Sequence, residues 1–299
     1  MIKKVVRLSL LLFTTCSLEA GEFEYGQGNI HMKGGFIGLE QEIGTDISTY
    51  SLVEHHKNIF SSSWFYRYNI TWYDSKTMVQ AQNELNDGIV TVNNQLLSNA
   101  GSSITIPSID YRLQGFDLNF VLGKDIYHKD ENNFFGIGIM GGISLPWIES
   151  DKSDHNDDST SYDPMNLMQK SKTEMLTYKI GPTISASVSF TKYFMLYGTA
   201  TYAYQTGNLK NDYIHSDLNV HGIFQEYDCG IKIEPFAYDY KTDLVTLSPR
   251  LYGTLGYRYT KWQLNDIALD ITGTRQTFTK TDFSSDNSIL YFGIGYDFF

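Results

Sequence analysis

Ser288-Ile289-Leu290-Tyr291-Phe292-Gly293-Ile294-Gly295-Tyr296-Asp297-Phe298-Phe299 closes the sequence and decides how the rest is read. Leu290, Phe292, Ile294, Tyr296 and Phe298 share one apolar and aromatic face, and Gly293, Gly295 and Asp297 the other, which is the two-residue period of a strand. A strand with so apolar an outer face needs a second sheet or lipid to cover it.

The same alternation recurs upstream. In Ser63 to Asp74, Trp64, Tyr66, Tyr68, Ile70 and Trp72 lie on one face and Arg67, Asn69 and Thr71 on the other, with a tryptophan near each end as a span with two interfacial girdles requires. Phe135, Ile137, Ile139, Ile143, Leu145 and Trp147 alternate with Gly136, Gly138, Met140, Gly142 and Ser144, so one wall of this strand is nearly bare. A bare wall leaves space, which predicts that long basic side chains or the 75–103 segment lie against it. Strands of the same kind follow at Tyr178 to Phe190, Phe194 to Gln205, Ile223 to Glu234 and Arg250 to Thr260, with a tight reversal at Thr191-Lys192. Asn29 to Ile43 reads as the first strand, with Ile37, Leu39 and Ile43 outward and a bulge at Gly34-Gly35, and Thr45 to Ser61 reads as a loop. From Ile109 the apolar set runs Ile109, Tyr111 and Leu113, then Phe116, Leu118, Phe120 and Leu122; the change of parity predicts a β-bulge at Gly115. Gly207 to His221 and Leu264 to Asn287 read as loops, and Ser75 to Ser103 as an irregular strand, a helix or a segment folded inward.

Composition supports a membrane barrel over a soluble domain. The 299 residues include 22 Tyr, 18 Phe and 25 Gly but only 6 Pro, at a mean hydropathy of -0.28, because lipid-facing and lumen-facing residues average out. A net charge of -11 argues against nucleic acid as a partner. Lys3, Lys4 and Arg7 precede the apolar run Leu8 to Phe13, and Ser17-Leu18-Glu19-Ala20 then offers a small-residue cleavage site, which is the order of a secretory signal peptide over residues 1–20. Phe13-Thr14-Thr15-Cys16 is a poor lipobox, and once the signal is removed Cys229 is the only cysteine, which excludes an intrachain disulfide and a cysteine metal site.

Gly293-x-x-Tyr296-x-Phe298 resembles the C-terminal signal of Gram-negative outer-membrane β-barrel proteins, with one extra residue, Phe299, after the terminal aromatic. The resemblance implies recognition by the barrel assembly machinery through Gly293, Tyr296 and Phe298, and residence among outer-membrane lipid and lipopolysaccharide. It also implies an even number of strands, short periplasmic turns and long extracellular loops. Nine strands are legible, so the expected fold is all-β: a single closed antiparallel transmembrane β-barrel over residues 21–299, of roughly ten strands if 75–103 hides one, with eight and twelve as alternatives.

Alternation places Glu40, Glu42, Arg67, Asp110, Arg112, Asp117, Lys179, Glu226, Asp228, Lys232, Glu234, Arg250 and Arg258 on the lumen face. Mixed signs in a confined bore favour pairing. Neither the Asp/His constellation of omptin proteases nor the His/Ser pair of outer-membrane phospholipase can be placed on this sequence, so no enzyme and no cofactor is expected. His55, His56 and His155 read as solvated loop residues. The acidic run Asp151, Asp154, Asp157 and Asp158 lacks the order of an EF-hand, and no metal site is assigned to it. Two functions remain: a porin-like or narrow channel for ions or small polar solutes along a charged lumen, or a non-conducting surface or structural barrel whose extracellular loops bind a partner. The oligomeric state and the solute or partner are not encoded in any motif.

Overall fold

The computed structural model of this chain describes residues 20–36, 39–59, 63–80, 83–85, 91–92, 95–96, 104–106, 109–127, 133–150, 172–211, 218–236, 238, 240–241, 246–247, 250–271, 274–277 and 283–297. Residues 1–19 of the expected signal segment, the acidic run with His155, and Phe298-Phe299 lie outside them.

Ten long strands follow one another: β1 (Ala20–Phe36), β2 (Leu39–Ile59), β3 (Trp64–Ser75), β4 (Ile109–Asp125), β5 (Asn133–Ser150), β6 (Lys172–Thr191), β7 (Phe194–Asn211), β8 (Leu218–Ile233), β9 (Leu251–Ile271) and β10 (Phe283–Asp297). Each pairs antiparallel with its neighbours in sequence, and β1 pairs with β10 from Ala20↔Asp297 to Gly34↔Phe283, so the sheet closes on itself. Closure leaves no sheet edge, which is what lets strands cross a hydrocarbon layer with every backbone polar group paired.

The outward residues are those the alternation puts there. Leu290, Phe292 and Ile294 are 65%, 53% and 54% exposed, and Ile139, Ile180, Phe190 and Leu255 stand out in the same way from β5, β6 and β9. Trp64 and Trp72 are exposed toward the two ends of β3, and Trp72 meets Trp147 edge-on at 5.3 Å between ring centroids. An uncovered apolar exterior of this extent on a closed barrel is a surface for lipid, and the protein is a transmembrane β-barrel. The 192–193 turn, Ala20, Asp297 and the strand ends that flank 60–63, 126–132 and 234–250 lie at one end; the strand ends that flank 76–108, 151–171, 212–217 and 272–282 lie at the other.

Four expectations about the chain's course are corrected. Asn29 to Ile43 is not one strand and Thr45 to Ser61 is not a loop: the two belong to a hairpin, β1 and β2, paired without a break from Glu22↔Val53 to Phe36↔Leu39, so there is no bulge at Gly34-Gly35. This hairpin supplies the tenth strand. Among the described residues of 75–103 there is no further long strand: Met78–Gln80 extends the barrel sheet against β4, Asn83–Leu85 pairs with Ile104–Ile106, and Thr91–Val92 pairs with Gln95–Leu96. Leu264 to Asn287 is largely strand, with Thr274–Thr277 folded back on Ala268–Ile271. The common reason is that strands continue past the lipid girdle, where both faces meet polar surroundings and the alternation that betrays a strand is lost.

Fourth, β4 carries no bulge at Gly115, since its register against both β3 and β5 is continuous. The apolar residues change face instead. Leu113 is buried inside the bore, whereas Phe120 and Leu122 face lipid. Gly115 is required because the ring of Tyr73, its cross-strand partner, lies where a Cβ would be. Tyr291 covers Gly256 in the same way, and Phe65 covers Gly123 and Gly136.

Candidate functional site in the bore

Inward residues of β1, β3, β7, β8, β9 and β10 meet in one polar cluster. The Asp228 carboxylate, fully buried, accepts from Arg67 Nη2 at 2.7 Å, from Arg258 Nη2 at 3.1 Å and from the Tyr291 hydroxyl at 2.5 Å. Arg258 Nη2 also donates to Glu24 Oε2 at 2.8 Å, and Arg67 Nη1 to Thr199 Oγ1 at 3.0 Å. Because Tyr291 spends its one proton on Asp228, the Tyr197 hydroxyl must donate to the Tyr291 oxygen, 2.7 Å away. Arg67 and Arg258 are thus held between Asp228 and Glu24, with Glu22 and Glu226 buried nearby. Removing one partner of so buried a pair costs about 3–5 kcal/mol, because the other is left uncompensated.

β3 and β8 are five steps apart in a ring of ten, so the Arg67–Asp228 pair crosses the full diameter of the bore. Space left beside it, between Arg67, Asn69, Asn119, Val121, Met140 and Glu226, amounts to about 10 Å³. That is roughly the room one water molecule needs.

A second cluster joins β4, β5 and β6. Lys179 Nζ donates to Asp117 Oδ1 at 3.1 Å and rests over the Phe224 ring at 4.1 Å, and Ser144 donates to the same carboxylate oxygen. The Lys179 stem passes Gly142, so a basic side chain does lie against the glycine strand.

The remaining charged residues separate. Lys232 points inward over the Tyr252 ring at 3.8 Å and pairs with Glu234 at 3.1 Å, and Glu226 is buried beside Arg67. Arg112 and Asp110 are not in the lumen: with no bulge in β4 they face outward, and Arg112 forms a two-pronged pair with Asp74. Glu42 is also outward and exposed, because β2 turns its odd-numbered residues inward; the backbone of Glu40 pairs with Gly35. Arg250 is exposed before β9. Of the C-terminal motif, Gly293 faces inward, its missing side chain making room for Glu22 and Thr254, while Tyr296 has the outward parity and Phe298 is outside the described residues.

Sequence reasoning missed Glu22 and Glu24, because residues 20–28 carried no assigned strand although Glu22, Glu24 and Gly26 alternate with Phe23 and Tyr25. It also missed Glu54. This residue has the outward parity, yet it is 2% exposed, because the hydroxyls of Tyr66 and Tyr68 donate to its two oxygens at 2.6 and 2.5 Å. At the rim, the fully exposed Lys76 donates to Asp46 at 2.6 Å, a hydrogen bond that raises the ammonium's pKa above its ordinary value. Among the described residues, no group of three or more His, Cys, Asp or Glu is arranged to hold a metal ion.

Toward the end opposite the 192–193 turn the bore changes character. Ile30, Met32, Leu113, Met175, Trp262 and Leu264 line an apolar chamber of about 120 Å³. Tyr291 marks the boundary: its ring packs in the apolar cluster with Ile289 and Tyr73, and its hydroxyl enters the charged one.

No protein-family model matches the sequence, and no curated protein matches it. Among solved structures, the chain is similar to the outer membrane protease OmpT of Escherichia coli, at 11% identity over 94% of this chain and 97% of that one with a TM-score of 0.43. It is similar to the translocator domain of the autotransporter NalP of Neisseria meningitidis at 9% identity, covering 98% and 94% with a TM-score of 0.35. Neisserial surface protein A stands at 12% identity, 92% and 97% coverage and a TM-score of 0.28. No residue role carries over from proteins this distant.

Proposed function

We propose that this protein is a Gram-negative outer-membrane barrel that does not serve as an open diffusion channel, and that it works as a surface or structural barrel through the long links at its outer end. One observation carries the reading: an ion-paired cluster spans the bore from wall to wall, with Arg67 on β3 bonded to Asp228 on the opposite strand. Ions entering such a bore would have to break ion pairs that are buried from solvent. Assignment of the outer end follows from the short turn and both described barrel ends sharing the opposite one, as periplasmic ends do.

Planar-bilayer conductance tests it. The wild-type protein is expected to insert without discrete openings. Replacing Glu24, Arg67, Asp228 and Arg258 together with Ala removes the cluster without changing net charge, and discrete openings should then appear. Steady wild-type conductance, unchanged in the fourfold variant, would restore the porin-like reading.

A further inference from the structure

Around the Arg67–Asp228 pair, buried carboxylates outnumber guanidinium groups: Glu22, Glu24, Glu226 and Asp228 stand against Arg67 and Arg258. Lys232, the next inward cation, is paired with Glu234. Asp228 and Glu24 take the guanidinium contacts, and Glu22 accepts from the Thr254 hydroxyl. Glu226 is left over. It is 8% exposed and makes no hydrogen bond or contact ion pair with any described residue. Arg67 stands beside it but directs Nη1 to Thr199 and Nη2 to Asp228. A buried carboxylate in that position carries a desolvation cost that nothing in direct contact offsets.

Glu226 lines the space of about 10 Å³ beside Arg67, together with Asn69, Thr199 and Thr201, and with Val121 and Met140 also on the wall. Thr71 takes only one of the two lone pairs of Asn69 Oδ1, and a threonine hydroxyl keeps lone pairs of its own. A water molecule would fit this space but bring no charge. A proton on Glu226 would bring charge but use neither the room nor the neutral oxygens. We infer that Glu226 and these oxygens bind one small monovalent cation, of sodium size. Calcium takes six to eight oxygen ligands and magnesium keeps several of its waters. Here there is one carboxylate and room for roughly one water-sized ligand, so neither divalent ion is served. An organic ammonium exceeds the space.

A ligand that binds only the folded barrel stabilises it, which supplies a readout independent of conductance. The full-length protein is refolded into micelles without sodium, and urea unfolding is compared in sodium chloride and in tetramethylammonium chloride at one ionic strength. The expected result is a saturable rise of the urea midpoint with sodium. Once sodium stands about tenfold above its Kd, the unfolding constant should be ~10-fold lower than in the bulky cation. Glu226→Gln keeps the shape and removes the charge, and Val121→Ile adds a methyl group to the wall of the space; each should make the two salts equivalent. Equal midpoints in the two salts for the wild-type protein, as a water or a proton at Glu226 predicts, would overturn the assignment. So would a sodium preference that survives in either variant. Folding of both is checked by heat-modifiable gel migration; if Glu226→Gln does not fold, Val121→Ile decides alone.

Discussion

Glu54 shows how a single residue is kept where its charge is unwelcome. A carboxylate on the outward wall of a barrel loses stability when it faces hydrocarbon, and here the hydroxyls of Tyr66 and Tyr68 cover both of its oxygens. Hydrogen bonds to a charged group contribute about 1.5–3 kcal/mol each, so Tyr66→Phe and Tyr68→Phe should each lower the urea midpoint of the membrane-inserted protein by a corresponding amount. Adding Glu54→Leu to the double Phe variant should recover much of the loss, because removing every polar partner leaves nothing unsatisfied. Midpoints equal to wild type in both single variants would mean that water or lipid headgroups already serve Glu54. Nothing in the order of residues 45–61 announces this arrangement. The odd-numbered residues Ile47, Thr49, Ser51 and Val53 are inward but chemically mixed, so the segment lacks the apolar stripe that identifies a strand.

At the scale of elements, the glycines are a packing device. Tyr73 over Gly115, Tyr291 over Gly256 and Phe65 over Gly123 and Gly136 each lay a ring across a bare patch of the neighbouring strand, filling the bore while holding register. A methyl at Gly115 must displace the Tyr73 ring. Gly115→Ala should therefore cost about 1–3 kcal/mol by chemical unfolding, and in a Tyr73→Ala background that cost should nearly vanish. An equal cost in both backgrounds would place the strain in the backbone and not in the ring. Gly138→Trp should likewise lower folding yield, because a side chain there meets the backbone of Leu122. These pairings explain why the glycine-rich wall was legible and its covering was not: each glycine is visible in sequence, but the ring above it comes from a strand far away in sequence or from an alternation with its own purpose.

For the whole molecule, closure between β1 and β10 couples the two ends of the chain, and the C-terminal motif sits on that seam. Its residues have separable duties. Gly293 lies beneath Glu22 and Thr254 inside the bore, whereas Tyr296 has the outward parity. Gly293→Val is expected to fail both in cells and on refolding of purified protein into detergent. Tyr296→Ala should fail only in cells, the outcome that recognition of the motif by an assembly machinery predicts; failure of both in detergent would make the motif structural throughout. The sequence by itself determined that this is a barrel, its antiparallel course, the lipid face of most strands and the inward placement of Arg67, Asp228 and Arg258, because strand period and burial in lipid act locally along the chain. Strand number came out at ten for the wrong reason, the tenth being the β1–β2 hairpin and not a strand within 75–103. Only the tertiary structure decided that Arg67 meets Asp228 across the diameter, that Glu24 pairs with Arg258, and that the bore is apolar at the end opposite the 192–193 turn. Which residues face each other across a closed sheet depends on strand count and stagger, which are properties of the ring as a whole. The parity change at Gly115 was in plain view, and it reported an apolar chamber; without the opposite wall it looked like a bulge.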